Sequence, residues 1–173
     1  MKPGNRGASL ALACALVVAP ARTLAAPGAP GSADDARGQV VLPSGRSLVV
    51  EIADTPMKVQ RGYMFREKIS DNEGMVFMFP AAGFHSFWMK NCKVALDIAW
   101  LDERWQVVHL EENLPPCGAD PCPSWGPLKA ARYVLEVRAG LAAAEGLRPG
   151  AAVVFVPPAP AVPAGSTADD KRH

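Results

Sequence analysis

The feature that most constrains this chain is a two-residue alternation of side chains in three separate stretches, residues 48–52, 94–101 and 132–138. A period of two places successive side chains on opposite faces of a β-strand, so each stretch predicts a strand with one strongly apolar face. Shorter apolar runs at residues 75–79, 84–89, 105–110 and 151–156 predict further strands. Pro, Gly, Ser and Asp lie between several of these runs, where the chain has to turn.

Two short helices are expected to interrupt the strands. Asp54 or Thr55 can accept a hydrogen bond from the first turn of a helix, and Pro56 suits the first helical position because its missing N–H has no partner there. A second helix is predicted over about residues 139–145, with Gly146 at its end. We therefore expect a mainly β fold of about seven to eight strands with one or two short helices, arranged as a compact β-sandwich or a partly closed barrel.

The first 26 residues have the order of a secretory signal peptide. Lys2 and Arg6 precede an apolar run at residues 8–19, and Ala19-Pro20-Ala21 supplies a small-x-small pattern. The run is too short to remain as a membrane anchor. The sequence therefore predicts cleavage after residue 21 or 26, and an exported protein, periplasmic or secreted, with no stable membrane anchor.

The remainder of the 173 residues has room for one folded domain with tails. Residues 27–38 lack hydrophobic periodicity and predict a flexible linker, and residues 157–173 are rich in Pro and Ala and predict a disordered tail. The folded β domain is therefore expected over residues 39–156.

The charge balance of the mature chain argues against a nucleic-acid partner. Three of the 18 Lys and Arg residues and none of the 17 acidic residues lie in the first 26 positions, which leaves 15 basic and 17 acidic side chains, a net charge of −2. No basic stripe follows a strand or a helix, and proteins that bind nucleic acid need one.

The spacing of the cysteines favours a local disulfide. Cys117 and Cys122 lie on either side of a short segment whose Gly118 and Pro121 suit a reversal of the chain, and an oxidising compartment would join them. A metal site would need two more ligands. His109 and Cys92 are candidates, although nothing in their spacing brings them to the pair. Cys92 is left without a predicted partner, either as a buried inert residue or as a free thiol.

Several sequence blocks in fixed order resemble those of the domain-of-unknown-function family 192. They occupy residues 61–67, 73–77, 87–91, 96–101 and 133–140 (RGYMFRE, EGMVF, FWMKN, LDIAWL and YVLEVRAG). The cysteine segment at residues 116–123 resembles an insertion found in a subset of that family. The resemblance implies a compact β-rich fold with a short helix or two, and it implies no activity. Three positions depart from the family pattern: Tyr63, Cys92 and Ala151 stand where Leu, Thr and an acidic residue are usual.

Asp97 is the most informative polar residue. It lies in the middle of a predicted strand and faces the same way as Ala95 and Ala99, which are too small to cover it. A buried carboxylate needs a partner, so Asp97 is expected either in an internal salt bridge with Arg61, Arg66 or Lys90 or in a polar pocket. The predicted ligand-binding cluster around it consists of Arg61, Arg66, Trp88, Lys90, Asn91 and Asp97. The leading hypothesis is a binding protein for a small molecule or a protein partner.

Two other functions stay open at this point. Asp97 and Glu136 could act as paired carboxylates in a hydrolase, although Glu136 is expected at the surface. Copper binding could use the thioethers of methionine, a residue that also fills cores; the five candidates are Met57, Met64, Met75, Met78 and Met89. No familiar nucleophile, metalloprotease, phosphate-loop or dinucleotide motif occurs, so the sequence favours binding over catalysis and predicts no cofactor and no metal.

Overall fold

The structure, a computed structural model, describes residues 36–160. The predicted signal peptide at residues 1–26, most of the predicted linker and most of the predicted tail lie outside the described residues. The described part contains nine strands and two short helices. In chain order these are β1 (Arg37–Val41), β2 (Ser47–Ala53), α1 (Pro56–Arg61), β3 (Glu73–Gly83), β4 (Phe87–Trp88), β5 (Leu96–Leu101), β6 (Val107–Leu114), β7 (Ser124–Trp125), β8 (Ala131–Arg138), α2 (Leu141–Glu145) and β9 (Val154–Val156).

Seven of the strands form one sheet in the order β6-β5-β8-β3-β2-β1-β9, and β4 and β7 form a separate two-stranded sheet. β2 and β3 are parallel, and the other pairs are antiparallel. A parallel pair needs a connection that crosses a face of the sheet. Residues 54–72, which we term the crossover segment, make this connection and carry α1 onto one face.

The large sheet is not closed, yet its two edges meet at one end. The N–H of Val107 donates to the carbonyl of Ala151 at 2.8 Å, and the N–H of Val153 donates to the carbonyl of Trp105 at 3.0 Å. The segment just before β9 therefore lies against the start of β6. The prediction of a mainly β fold with two short helices is confirmed.

Both faces of the large sheet are buried at its centre, where all six residues of β5 are inaccessible to solvent. One face, termed the α2 face, packs against α2; its buried residues include Leu48, Val50, Val76, Leu101, Leu135 and Leu141. The other, termed the α1 face, is covered by the crossover segment and by β4; its buried residues include Tyr63, Phe77, Phe87, Met89, Leu96, Ile98 and Trp100. The sheet thus divides the interior into two cores.

The residues predicted to begin α1 and to end α2 do so in the structure. Thr55 is the N-cap of α1, and its hydroxyl accepts a hydrogen bond from the N–H of Lys58 at 3.4 Å, with Pro56 in the first turn. Gly146 ends α2 with φ of 76°, a left-handed conformation in which glycine costs least. β1 begins at Arg37, two residues inside the predicted linker. Within residues 36–160 no helix is both long enough and apolar enough to span a membrane.

Candidate functional site

Asp97 lies on the α2 face, fully buried, and does not meet the other predicted site residues. Its Oδ1 accepts a hydrogen bond from the N–H of Asn113 at 2.8 Å, and its Oδ2 accepts one from the N–H of Ala142 at 2.9 Å. The second bond satisfies an N–H in the first turn of α2, which has no side-chain cap of its own. Backbone amides, and not Arg61, Arg66 or Lys90, are therefore the hydrogen-bond partners of Asp97. The expectation of a binding cluster centred on Asp97 is wrong.

The predicted carboxylate pair does not form either. Glu136 of β8 is opposite Ile98 of β5, and Asp97 is opposite Val137. Neighbouring residues of a strand point to opposite faces, so Asp97 lies on the α2 face and Glu136 on the α1 face. The sheet separates the two carboxyl groups, and the hydrolytic arrangement proposed for them has no geometric basis.

Four of the predicted residues do converge, on the outer side of the α1 face. They line a cavity of about 440 Å³, which we term the groove. Its lining consists of Met57, Gln60, Arg61, Met64, Phe65, Trp88, Lys90 and Asn91. This volume lies within the range of small-molecule sites, about 300–1,000 Å³.

The groove collects large apolar side chains that remain in contact with solvent. Trp88 is 45% exposed, Phe65 60% and Met57 74%. Single exposed apolar residues are common on protein surfaces, whereas a contiguous group beside polar side chains marks an interaction site. The apolar part of the groove thus has the character of a binding surface.

Two residues of the groove, Phe65 and Asn91, have a left-handed backbone conformation and are joined by a backbone hydrogen bond. Phe65 has φ of 66° and Asn91 has φ of 57°, and the N–H of Phe65 donates to the carbonyl of Asn91 at 2.8 Å. Asparagine tolerates this left-handed region, but a bulky phenylalanine does so at a cost of about 1–3 kcal/mol. The surrounding structure therefore holds Phe65 in a strained conformation and leaves its ring exposed.

Lys90 brings a positive charge to the lining of the groove. Its ammonium lies 5.3 Å from the centre of the Trp88 ring and 2.6 Å from Oδ2 of Asp120. Asp120 belongs to the disulfide loop, residues 117–122, in which the predicted bond between Cys117 and Cys122 is present. The loop is fixed to the strand beside the groove, because the N–H of Cys117 donates to Met89 at 3.0 Å and the N–H of Asn91 donates to Cys117 at 2.8 Å.

Arg66, the remaining predicted residue, faces a second and smaller cavity of about 250 Å³. Its guanidinium donates to both carboxylate oxygens of Glu51, at 2.6 and 2.5 Å, and this pairing lowers the pKa of Glu51. Arg61 lines both cavities and makes no salt bridge within residues 36–160. Of the two arginines, Arg61 is therefore the one with its charge available to a ligand.

Glu136 is the residue that sequence reasoning misplaced. It is only 4% exposed, its Oε2 has no hydrogen-bond partner among the described residues, and burial raises its pKa to about 8. Oε2 lies behind Gly62, where an added methyl group would be 3.6 Å away. The alternation in β8 indicated a polar face. The crossover segment that covers this face comes from far away in the sequence, so no local pattern could reveal the burial.

Two of the three positions that depart from the family pattern, Tyr63 and Cys92, lie near this carboxyl group. Burial raises the pKa of Tyr63 above its usual range and that of Cys92 to about 11, and the nearby Glu136 adds to both shifts. A thiol with such a pKa remains protonated at neutral pH and is a poor nucleophile. Of the two alternatives for Cys92, the structure supports the buried and inert one.

The methionines divide among three places. Met75 and Met89 are buried in the core of the α1 face, Met78 packs against the α2 face, and Met57 and Met64 line the groove. Their five sulfur atoms therefore do not converge. Among residues 36–160 there is also no group of three or more His, Cys, Asp or Glu side chains that could hold a metal ion.

Residues 39–155 match the family DUF192, whose description reads "Uncharacterized ACR". The chain belongs to this family. The resemblance drawn from the sequence blocks is thereby confirmed, and the family brings no assigned activity. No protein with a curated description matches the chain.

Two solved structures have a similar fold. One is a protein of unknown function from Novosphingobium aromaticivorans DSM 12444, with 31% identity and a TM-score of 0.63; the match covers 75% of this DUF192 chain and 93% of that one. The other comes from Sinorhizobium meliloti 1021 and is provisionally described as a transcription regulator. It has 27% identity and a TM-score of 0.63 over 72% of this chain and 98% of that one.

Proposed function

We propose that this DUF192 domain is an exported binding protein that holds a small organic molecule with a flat, apolar body in the groove. The observation that carries the proposal is the strained Phe65, whose backbone is bonded to Asn91 and whose ring stays exposed beside Trp88. Strain of this kind is retained where surrounding structure enforces it, and it clusters at functional sites. Two aromatic rings and the methionines suit an apolar body, and Gln60 and Asn91 can orient it by hydrogen bonds.

The lining of the groove supports binding rather than catalysis. Among the described residues that line it there is no carboxylate, imidazole, hydroxyl or thiol group. General acid–base and nucleophilic catalysis rely mainly on such groups, and the lining amine that could also take part, that of Lys90, is paired with Asp120 at 2.6 Å. The side chains present can surround and orient a molecule, which is what a binding domain requires.

Two observations support export. The disulfide between Cys117 and Cys122 indicates an oxidising environment. The sequence pattern of residues 1–26 predicts a signal peptide. We therefore place the binding event in the periplasm or outside the cell.

The description of the S. meliloti protein as a transcription regulator is not extended to this chain. Residues 36–160 carry 13 basic and 13 acidic side chains, and the groove is mainly apolar. A surface that neutralises phosphates needs an excess of Lys and Arg. The charge balance supports a small ligand over a nucleic acid.

The experiment is a titration of the ¹⁵N-labelled protein with indole, a neutral flat probe, followed by two-dimensional NMR. We expect the indole N–H signal of Trp88 and the backbone amides of Phe65 and Asn91 to shift together and to saturate. Trp88→Ala should remove the response. Leu128→Ala is the matched control, because Leu128 is an 82% exposed apolar residue that does not line the groove. A response that is unchanged in Trp88→Ala would contradict the proposal.

A further inference from the structure

The geometry points to an anion subsite in the groove, formed by Lys90 above Trp88, and to Asp120 as the built-in carboxylate that occupies this subsite when no ligand is bound. The ligand would accordingly be an organic anion with a flat, apolar body. This inference rests on the proposed function, since it names the chemistry of the molecule held in the same groove.

The first support is the position of the Lys90 ammonium. It lies 5.3 Å from the centre of the Trp88 ring, so a cation is already placed beside the aromatic surface. A ligand whose flat body contacts Trp88 and Phe65 would bring a carboxylate attached to that body within reach of Lys90. Lys90 thus places the charged part of the site next to its apolar part.

The second support is the charge of the groove. Arg61 and Lys90 are both in its lining, and no acidic residue is. Arg61 makes no salt bridge within the described part of the chain, although the charge of Glu51 is close enough to interact with it. Charge complementarity therefore favours a negatively charged ligand over a neutral or a positive one.

The third support is the ion pair between Lys90 and Asp120. Its N–O distance is 2.6 Å, but the side chains are 32% and 62% exposed. Exposed ion pairs of this kind contribute little to stability, so a ligand carboxylate can replace Asp120 at small cost. Asp120 shows where an anionic group can sit.

The disulfide loop keeps Asp120 at this position. The bond between Cys117 and Cys122 encloses Asp120, and the backbone of Cys117 is bonded to Met89 and Asn91 on either side of Lys90. A tethered carboxylate has a high effective concentration at its partner. Asp120 therefore competes with any anion, and it makes the groove selective for ligands that also use the aromatic surface.

The test compares two probes of nearly the same shape, indole-3-acetate and its neutral analogue indole-3-acetamide, in about 20 mM salt, where surface charges are weakly screened. Asp120→Asn should raise the affinity for the acetate about threefold or more and leave that for the acetamide unchanged. Lys90→Met should weaken binding of the acetate much more than binding of the acetamide. Glu103→Gln removes the carboxylate of another exposed ion pair, away from the groove, and should change neither.

The outcomes separate the two proposals. If both probes shift the groove residues equally and Asp120→Asn affects neither or both alike, the anion subsite is disproved while the proposed function stands. If Glu103→Gln gives the same gain as Asp120→Asn, the effect is one of net charge and the subsite is again disproved. If neither probe reaches the groove, the proposed function and the subsite both fail.

Discussion

The two faces of the large sheet each bury one carboxyl group, and they treat it in opposite ways. On the α2 face both oxygens of Asp97 accept backbone hydrogen bonds, and α2 packs over the core. On the α1 face Oε2 of Glu136 has no partner among the described residues, and the same face carries the groove and the strained Phe65. The α1 face thus leaves a buried carboxyl group unsatisfied, a cost that folding alone does not explain, whereas the α2 face satisfies its own.

The largest expected effect comes from Glu136. Its folded pKa of about 8 exceeds the ordinary value of 4.5, so between these values the folded state holds a proton that the unfolded state has released. The free energy of unfolding should therefore fall as the pH rises from about 4.5 to about 8, by up to about 1.4 kcal/mol per pH unit, and level off above that range.

Glu136→Gln removes this titration. The free energy of unfolding of the variant relative to wild type should increase across the same pH range, by an amount on the order of 4 kcal/mol. Urea denaturation of both proteins at a series of pH values measures the difference. Parallel pH profiles for the two proteins would show that Glu136 is not the unsatisfied acid of the α1 face.

The next effect is that of Asp97→Ala. This change leaves the buried N–H of Ala142 and the partly buried N–H of Asn113 without their acceptor, which should lower the free energy of unfolding by about 3 kcal/mol. Urea denaturation checks the value, with Glu103→Ala at an exposed site as the control, for which a change below about 0.5 kcal/mol is expected. A loss in Asp97→Ala as small as that of the control would remove the contrast between the faces.

The smallest expected effect is a gain in stability, and it concerns Phe65. Phe65→Gly relieves a left-handed conformation that glycine adopts freely, so it should stabilise the fold by about 1 kcal/mol while weakening the binding of indole. Phe84→Gly is the control, because Phe84 is also exposed, 70%, but has no positive φ, and it should bring no gain. Thermal unfolding together with the NMR titration measures both consequences. A loss of stability in Phe65→Gly would mean that the Phe65 ring stabilises the fold by packing against the core, which would contradict a role in binding.

Local patterns were sufficient for most of the elements, although β1 and β7 were not among the predicted strands. The alternation around Leu48 and Ile98 predicted the strands, Thr55 and Pro56 predicted the start of α1, and the spacing of Cys117 and Cys122 predicted their bond. Each of these signals depends on residues close together in the chain. The position of Asp97 in the middle of a predicted strand correctly indicated a buried carboxylate for the same reason.

The predictions that failed concern features that depend on contacts between segments far apart in the sequence. Asp97 was expected to pair with arginine, but its partners are backbone amides of β6 and α2, which carry no signature in their side chains. Glu136 was expected at the surface because the crossover segment that covers it could not be placed from the sequence. Phe65 was not predicted to belong to the site, since its significance comes from a backbone conformation that the sequence does not show.

The meeting of the two sheet edges has a consequence for association between molecules. Open β-sheets aggregate through unpaired edge strands. Here the start of β6 is occupied by the segment before β9, and β9 itself has only three residues and is followed directly by Pro157 and Pro158, which have no N–H to donate. At these points the domain offers little template for edge-to-edge pairing.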